Sequence, residues 1–180
     1  MNPTKRRFGV ALSLFGVAAS TACGSSDHAE PTEVRTPEVT QVTYHPCDEL
    51  PAEAIREAKL DVRPPERHDV DNPKTLACIY LSHEPRYGVN ITAKERTFAV
   101  LETETDRFIT LDETRIAGRR TLIQDFPDTR SCLVSVEITP GVLDFQVGYG
   151  SNEIFTTPAA ACDQAMKVVN TLAPYLPEHL

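Results

Sequence analysis

The chain has 180 residues, with 26 acidic against 18 basic side chains and a formal charge of −8. That balance argues against nucleic acid, whose phosphates reward clustered Lys and Arg, and against lying flat on anionic lipid headgroups. The length fits one domain with a tail better than two domains.

Residues 1–22 have the parts of an export signal. Lys5, Arg6 and Arg7 make a basic start, residues 8–19 are mostly apolar, and Ser20, Thr21 and Ala22 place small residues before Cys23. The apolar run is shorter than the ~20 residues a membrane helix needs, and Gly9, Ser13 and Gly16 interrupt it. Cys23 is the expected lipidation site, although Ser20 stands where such sites usually carry Leu, Val or Ile. Four of the five cysteines fall in the globular part, so Cys23 is left over as an exposed thiol unless it is modified. Acyl chains on it would anchor the protein, each buried methylene contributing about 0.8 kcal/mol. Cleavage after Ala22 removes three basic residues and no acid, which leaves 158 residues with a formal charge of −11.

Residues 23–45 read as a disordered tether, rich in Ser, Thr, Glu and Pro and poor in large apolar side chains. A single extracytoplasmic domain is expected over residues 46–180. Residues 51–59 predict a short helix, with Pro51 in its first turn and Leu50, Ala54 and Ala58 on one face. Arg63-Pro64-Pro65 ends that segment, and residues 68–74 read as a polar loop. Residues 76–82 predict a strand apolar on both faces, and residues 89–94 a second, half-exposed strand. Over residues 97–108, Phe98, Leu101, Thr105 and Phe108 fit helical spacing, although β-branched residues favour a strand; a helix is predicted. Residues 114–123 predict a strand carrying Ile116 and Leu122, with Gly118 at a bulge or close backbone approach.

The strongest pattern lies in residues 131–150. Cys132, Val134, Val136 and Ile138 share one face, and Leu143, Phe145, Val147 and Tyr149 alternate again after Pro140-Gly141. This predicts an antiparallel hairpin with one buried face. Thr157 and Pro158 then open a helix that buries Cys162, Ala165, Val169 and Leu172 and stops at Pro174. The expected class is α+β: an antiparallel sheet with N- and C-terminal helices packed on it and two disulfides.

Cys47, Cys78, Cys132 and Cys162 permit three pairings. Cys47–Cys78 would pin the first helix to the first strand, and Cys132–Cys162 the hairpin to the last helix; these are favoured. No pair has the CxxC spacing of redox or zinc sites.

A cysteine after a signal-like run, a polar tether, Pro46-Cys47 opening a helix, Cys78 in a strand, Cys132 opening a hairpin, and Cys162 with Ala165 in a helix ending near Leu176-Pro177 occur together. This set resembles a family of actinobacterial lipoproteins of unknown function, found in mycobacteria, nocardiae and relatives, over about residues 46–177. Tyr80 stands where that family commonly carries an aromatic residue, often Trp. The resemblance implies no catalytic residues.

No GxSxG, P-loop, HExxH or EF-hand pattern is present. The best metal candidate is His68-Asp69-Val70-Asp71, for which a solvated loop is the plainer reading, so no metal or cofactor is expected. Glu102, Glu104 and Asp106 alternate along the chain and read as an exposed edge or helix face, while His45, His83 and His179 look isolated. Arg119-Arg120 is a basic pair for an anionic ligand or partner, or simply a solvated strand edge.

The expectation is a non-catalytic, lipid-anchored binding or accessory domain on the outer face of the cytoplasmic membrane. Its partners would be the membrane, through the lipid, and an envelope protein or small ligand, not nucleic acid. An envelope hydrolase with an unrecognised site and a lipid or glycolipid carrier are the other classes; a carrier needs an apolar cavity between sheet and helices.

Overall fold

The computed structural model describes residues 41–178 and 180. The expected signal peptide, Cys23 and most of the tether lie outside them. The core begins earlier than expected, because Val42 and Tyr44 are already buried in it, upstream of the predicted boundary at Pro46.

A short helix, α1 (Pro46–Glu49), opens the domain with Pro46 in its first turn. His45 caps it twice over: its ring Nδ1 accepts the Cys47 N–H at 3.1 Å, and its own backbone N–H donates to Glu49 Oε1 at 2.7 Å. That reciprocal arrangement satisfies donors which an isolated helical turn leaves open. The predicted helix follows as α2 (Ala52–Glu57), with Pro51 as its N-cap rather than inside its first turn. Ala54 and Ile55 are its buried residues. Two short strands follow, β1 (Glu66–Arg67) just before the predicted polar loop and β2 (Val70–Asp71) within it, both paired with β3 (Lys74–Leu81). Next comes β4 (Gly88–Lys94), antiparallel to β3.

The helix predicted over residues 97–108 is shorter: α3 (Phe98–Thr103), capped by Thr97 Oγ1, which accepts from the Val100 N–H at 3.3 Å. The strand expected over residues 114–123 is in fact a hairpin. Its arms are β5 (Ile109–Ile116) and β6 (Arg119–Phe126). Ala117 and Gly118 take φ of 50° and 82° between them, and two successive positive φ values suit a turn that follows the strand twist. The predicted hairpin is present as β7 (Ser131–Glu137) and β8 (Val142–Gly148), joined in register from Ser131 opposite Gly148 to Glu137 opposite Val142. In its loop Gly141 has φ 97°, and a Cβ there would lie 2.0 Å from the Lys94 carbonyl oxygen. The last helix is α4 (Pro158–Leu172), capped by Thr157 and followed by a 3-10 turn, Ala173–Tyr175.

The strands form one antiparallel sheet in the order β1-β3-β4-β8-β7-β6-β5, with β2 also on β3. One face carries a row of buried residues across five strands: Cys78, Ile91, Phe145, Val134 and Ile123 are successive partners. Helix α4 packs on this face through Ala161, Cys162, Ala165, Val168, Val169 and Leu172. Both expected disulfides are formed there, Cys47–Cys78 and Cys132–Cys162, with Cα separations of 5.3 and 5.1 Å.

The opposite face is where expectation fails. Strand β4 lies mid-sheet and β5 at the far edge, so the chain between them, residues 95–108, crosses over β8, β7 and β6. Phe98 and Leu101 of α3 pack there against Leu122 and Val142. The hairpin is therefore buried on both faces, and Ser135 and Asp144, placed by alternation on the outer side, are 0 % and 1 % exposed.

Candidate functional site

The crossover leaves a cleft of about 360 Å³ between itself and the second sheet face. Thr75, Lys94, Gln146, Leu133 and Phe126 supply its floor, one each from β3, β4, β8, β7 and β6. Residues of the crossover, notably Arg96, Glu104, Arg107 and Phe108, supply its wall. Strand alternation explains the floor, since these side chains hold the parity that faces away from α4.

Asp144 lies beside the floor, its carboxylate almost wholly buried. Ser135 Oγ donates to its Oδ1 at 2.6 Å and Lys94 Nζ to its Oδ2 at 2.8 Å, while Arg96 Nη2 approaches to 4.0 Å. A buried carboxylate survives only with such partners, because desolvation otherwise costs several kcal/mol ~ per ion. Arg96 also pairs with Glu104. Two neighbouring groups lack a protein partner among the described residues: Glu95 Oε1 and Arg96 Nε, both buried.

Arg107 is arranged differently. Its guanidinium carbon lies 5.5 Å from the Phe108 ring centroid and 5.4 Å from that of Phe126. The two rings themselves meet at 4.7 Å. Arg96 approaches Phe108 as well, at 5.6 Å. Cations over ring faces gain electrostatic attraction, about 0.5–1 kcal/mol where solvent reaches them.

The candidate residues named from sequence do not assemble into this cleft, apart from Glu104. Asp69 accepts from His45 Nε2 at 2.9 Å, the Ala77 N–H at 3.2 Å and Arg67 at 3.4 Å. Burial raises its carboxyl pKa, but the hydrogen bonds from Ala77 and His45 and the nearby Arg67 outweigh this and hold it below the usual carboxylate range. Asp69 therefore anchors the helix-capping imidazole, while His68 and Asp71 are exposed. Among the described residues, no group of three or more His, Cys, Asp or Glu is placed to hold a metal. His45 is thus not isolated, and His83 pairs with Asp61 at 2.8 Å; His179 lies outside the described residues. Glu102 pairs with Arg120, Glu104 with Arg96, and Asp106 is exposed.

Arg119 and Arg120 do not act as a pair, because adjacent strand residues face opposite ways. Arg119 Nη2 donates to the Pro177 carbonyl at 2.6 Å; Arg120, on the other face, stacks on Phe98 at 4.5 Å and pairs with Glu102 and Glu113. Lys94, Ser135 and Asp144 read from the sequence only as outward strand positions, and Arg96 and Arg107 gave no site signal. The one local signal was Asp144 set between buried Leu143 and Phe145.

A second concavity, about 500 Å³, is an open groove beside the Cys47–Cys78 bridge. Leu50, Ile55, Val62, Pro64 and Pro65 give it apolar walls, and Arg56, Asp61 and Arg63 add charge.

Comparison with protein families gives one match, over residues 16–175, to a model described as "Protein of unknown function (DUF3558)". The chain belongs to the DUF3558 family. No curated protein and no solved structure matches it. Membership accounts for nearly the whole described domain and assigns it no activity. Among the described residues, no helix of this DUF3558 chain is long and apolar enough to cross a membrane.

Proposed function

We propose that this DUF3558 protein is a lipid-anchored, non-catalytic binding or accessory domain of the cell envelope, of the actinobacterial lipoprotein type, and that the cleft under residues 95–108 receives its ligand. The observation that carries the binding reading is the state of the cleft's charged groups. Asp144, Lys94, Arg96 and Glu104 are held in mutual pairs on a sheet stapled by two disulfides. Fixed partners preorganise a recognition surface and lower the ordering cost of binding. A general acid or base works best when its proton is free to move near operating pH, which ion pairing opposes. Disulfides are at home in oxidising compartments, which supports an extracytoplasmic position, and Cys23 after a signal-like run supports the anchor.

Two measurements on the full chain expressed in an actinobacterial host test this. Fractionation should place the wild type in the membrane and Cys23→Ser in the soluble fraction; a Cys23→Ser protein still in the membrane overturns the anchor. Thermal unfolding with envelope extracts should show a rise in Tm for the wild type and none for Thr75→Trp, which fills the cleft floor. An equal rise in both, or none in either, overturns the cleft as the binding site.

A further inference from the structure

We infer that the cleft is an anion site in which Arg107 grips a carboxylate or phosphate group and Lys74 adds a second positive charge; this rests on the cleft being the ligand site. Most cations around the cleft are already neutralised. Lys94 is held by Asp144, Arg96 by Glu104, and Arg120, on the same sheet face, by Glu102 and Glu113. Arg107 and Lys74 line the same cleft and form no ion pair among the described residues. In a chain of formal charge −8, the lining thus holds two cations without an ion pair against one such carboxylate, Glu95.

Stacking gives Arg107 its chemistry. With Phe108 and Phe126 both within 5.5 Å of the guanidinium carbon, the plane of the group is restrained by its faces. Its N–H donors radiate in that plane, so its edge stays available to a ligand, and a planar fork of donors matches a carboxylate or phosphate with two parallel hydrogen bonds. Leu133 and Phe108 are buried apolar neighbours, and about 360 Å³ admits a headgroup with a short substituent, so the ligand is a small anion or the anionic end of a larger molecule.

The test follows the Arg107 Nε–H signal of the isotope-labelled mature chain by NMR, at constant ionic strength with chloride as the balancing ion. Three probes are titrated: inorganic phosphate, acetate, and vesicles of phosphatidylglycerol beside matched phosphatidylcholine vesicles. A saturable shift with phosphate or acetate assigns a free anion. A response to phosphatidylglycerol vesicles alone assigns a lipid headgroup. In either case Arg107→Gln should weaken binding about tenfold or more, and Arg107→Lys, which keeps the charge but loses the fork, should fall between. For Arg107→Gln the readout is the Gln146 side-chain amide at the cleft floor. Shifts that never saturate, or affinity unchanged in Arg107→Gln, overturn the proposal. If Arg107→Gln keeps the envelope-extract rise in Tm while Thr75→Trp loses it, the cleft binds a ligand and the anion assignment alone fails.

Discussion

At the scale of single residues, two carboxylates show how position decides meaning. Asp144 is buried and depends on Lys94 and Ser135. Replacing Lys94 with Met should cost about 1–3 kcal/mol, since the carboxylate loses a charged donor, while the one-third exposure of Lys94 keeps the loss below that of a sealed ion pair. Urea unfolding of the wild type, Lys94→Met and the double variant with Asp144→Asn measures this; the double variant should recover part of the loss. Asp69 sits nearer solvent, and its hydrogen bonds hold its folded pKa below the usual value. A depressed carboxyl pKa stabilises the fold fully above the unfolded value of about 3.9. That contribution is lost as pH falls through the folded pKa. Asp69→Asn should therefore be less stable than the wild type at neutral pH, with the gap closing under acid conditions. Urea midpoints taken as a function of pH check both the sign and the window.

Among elements, α4 and the β7–β8 hairpin are the pair that carries the core. Their joint covalent tie is Cys132–Cys162, at a sequence separation of 30 residues. Removing a cross-link over a loop of that length costs about 3–4 kcal/mol in the chain-entropy model. Cys132→Ala with Cys162→Ala should lower the free energy of unfolding by that amount, read by denaturant titration, without changing the order of the strands. The hairpin and α4 were legible from sequence because their burial has a local period, two along the strands and near 3.6 along the helix. For α1 the sequence marks only the opening at Pro46-Cys47, since four residues carry no period and its cap comes from a histidine ring fixed by Asp69, distant in sequence. The β5–β6 turn was missed for a related reason. Gly118 was read within one strand, and only the pairing of Arg115 with Arg120 makes Ala117-Gly118 a reversal.

For the molecule as a whole, the decisive fact is the path from β4 to β5. Because β4 pairs with β8 rather than with β5, the chain between must pass over three strands, and its underside becomes the cleft. The same path turns Asp144, which alternation would place in water, into a buried partner of Lys94 and Arg96. Glu104 was visible as a candidate, as one of three alternating acids. Its pairing with Arg96, and the meeting of Arg107 with Phe126, depend on that crossing.

The sequence by itself determined the α+β class, the central hairpin and the terminal helix, and favoured one of three cysteine pairings. Each of these follows from periodicity, capping residues or loop length, which are properties of neighbours along the chain. Only the tertiary structure decided that both faces of the hairpin are buried, that Arg119 and Arg120 serve opposite faces, and that Lys94, Arg96, Arg107 and Asp144 border one cleft. Strand order is set by non-local pairing, and no local pattern records which strand lies beneath a crossing segment.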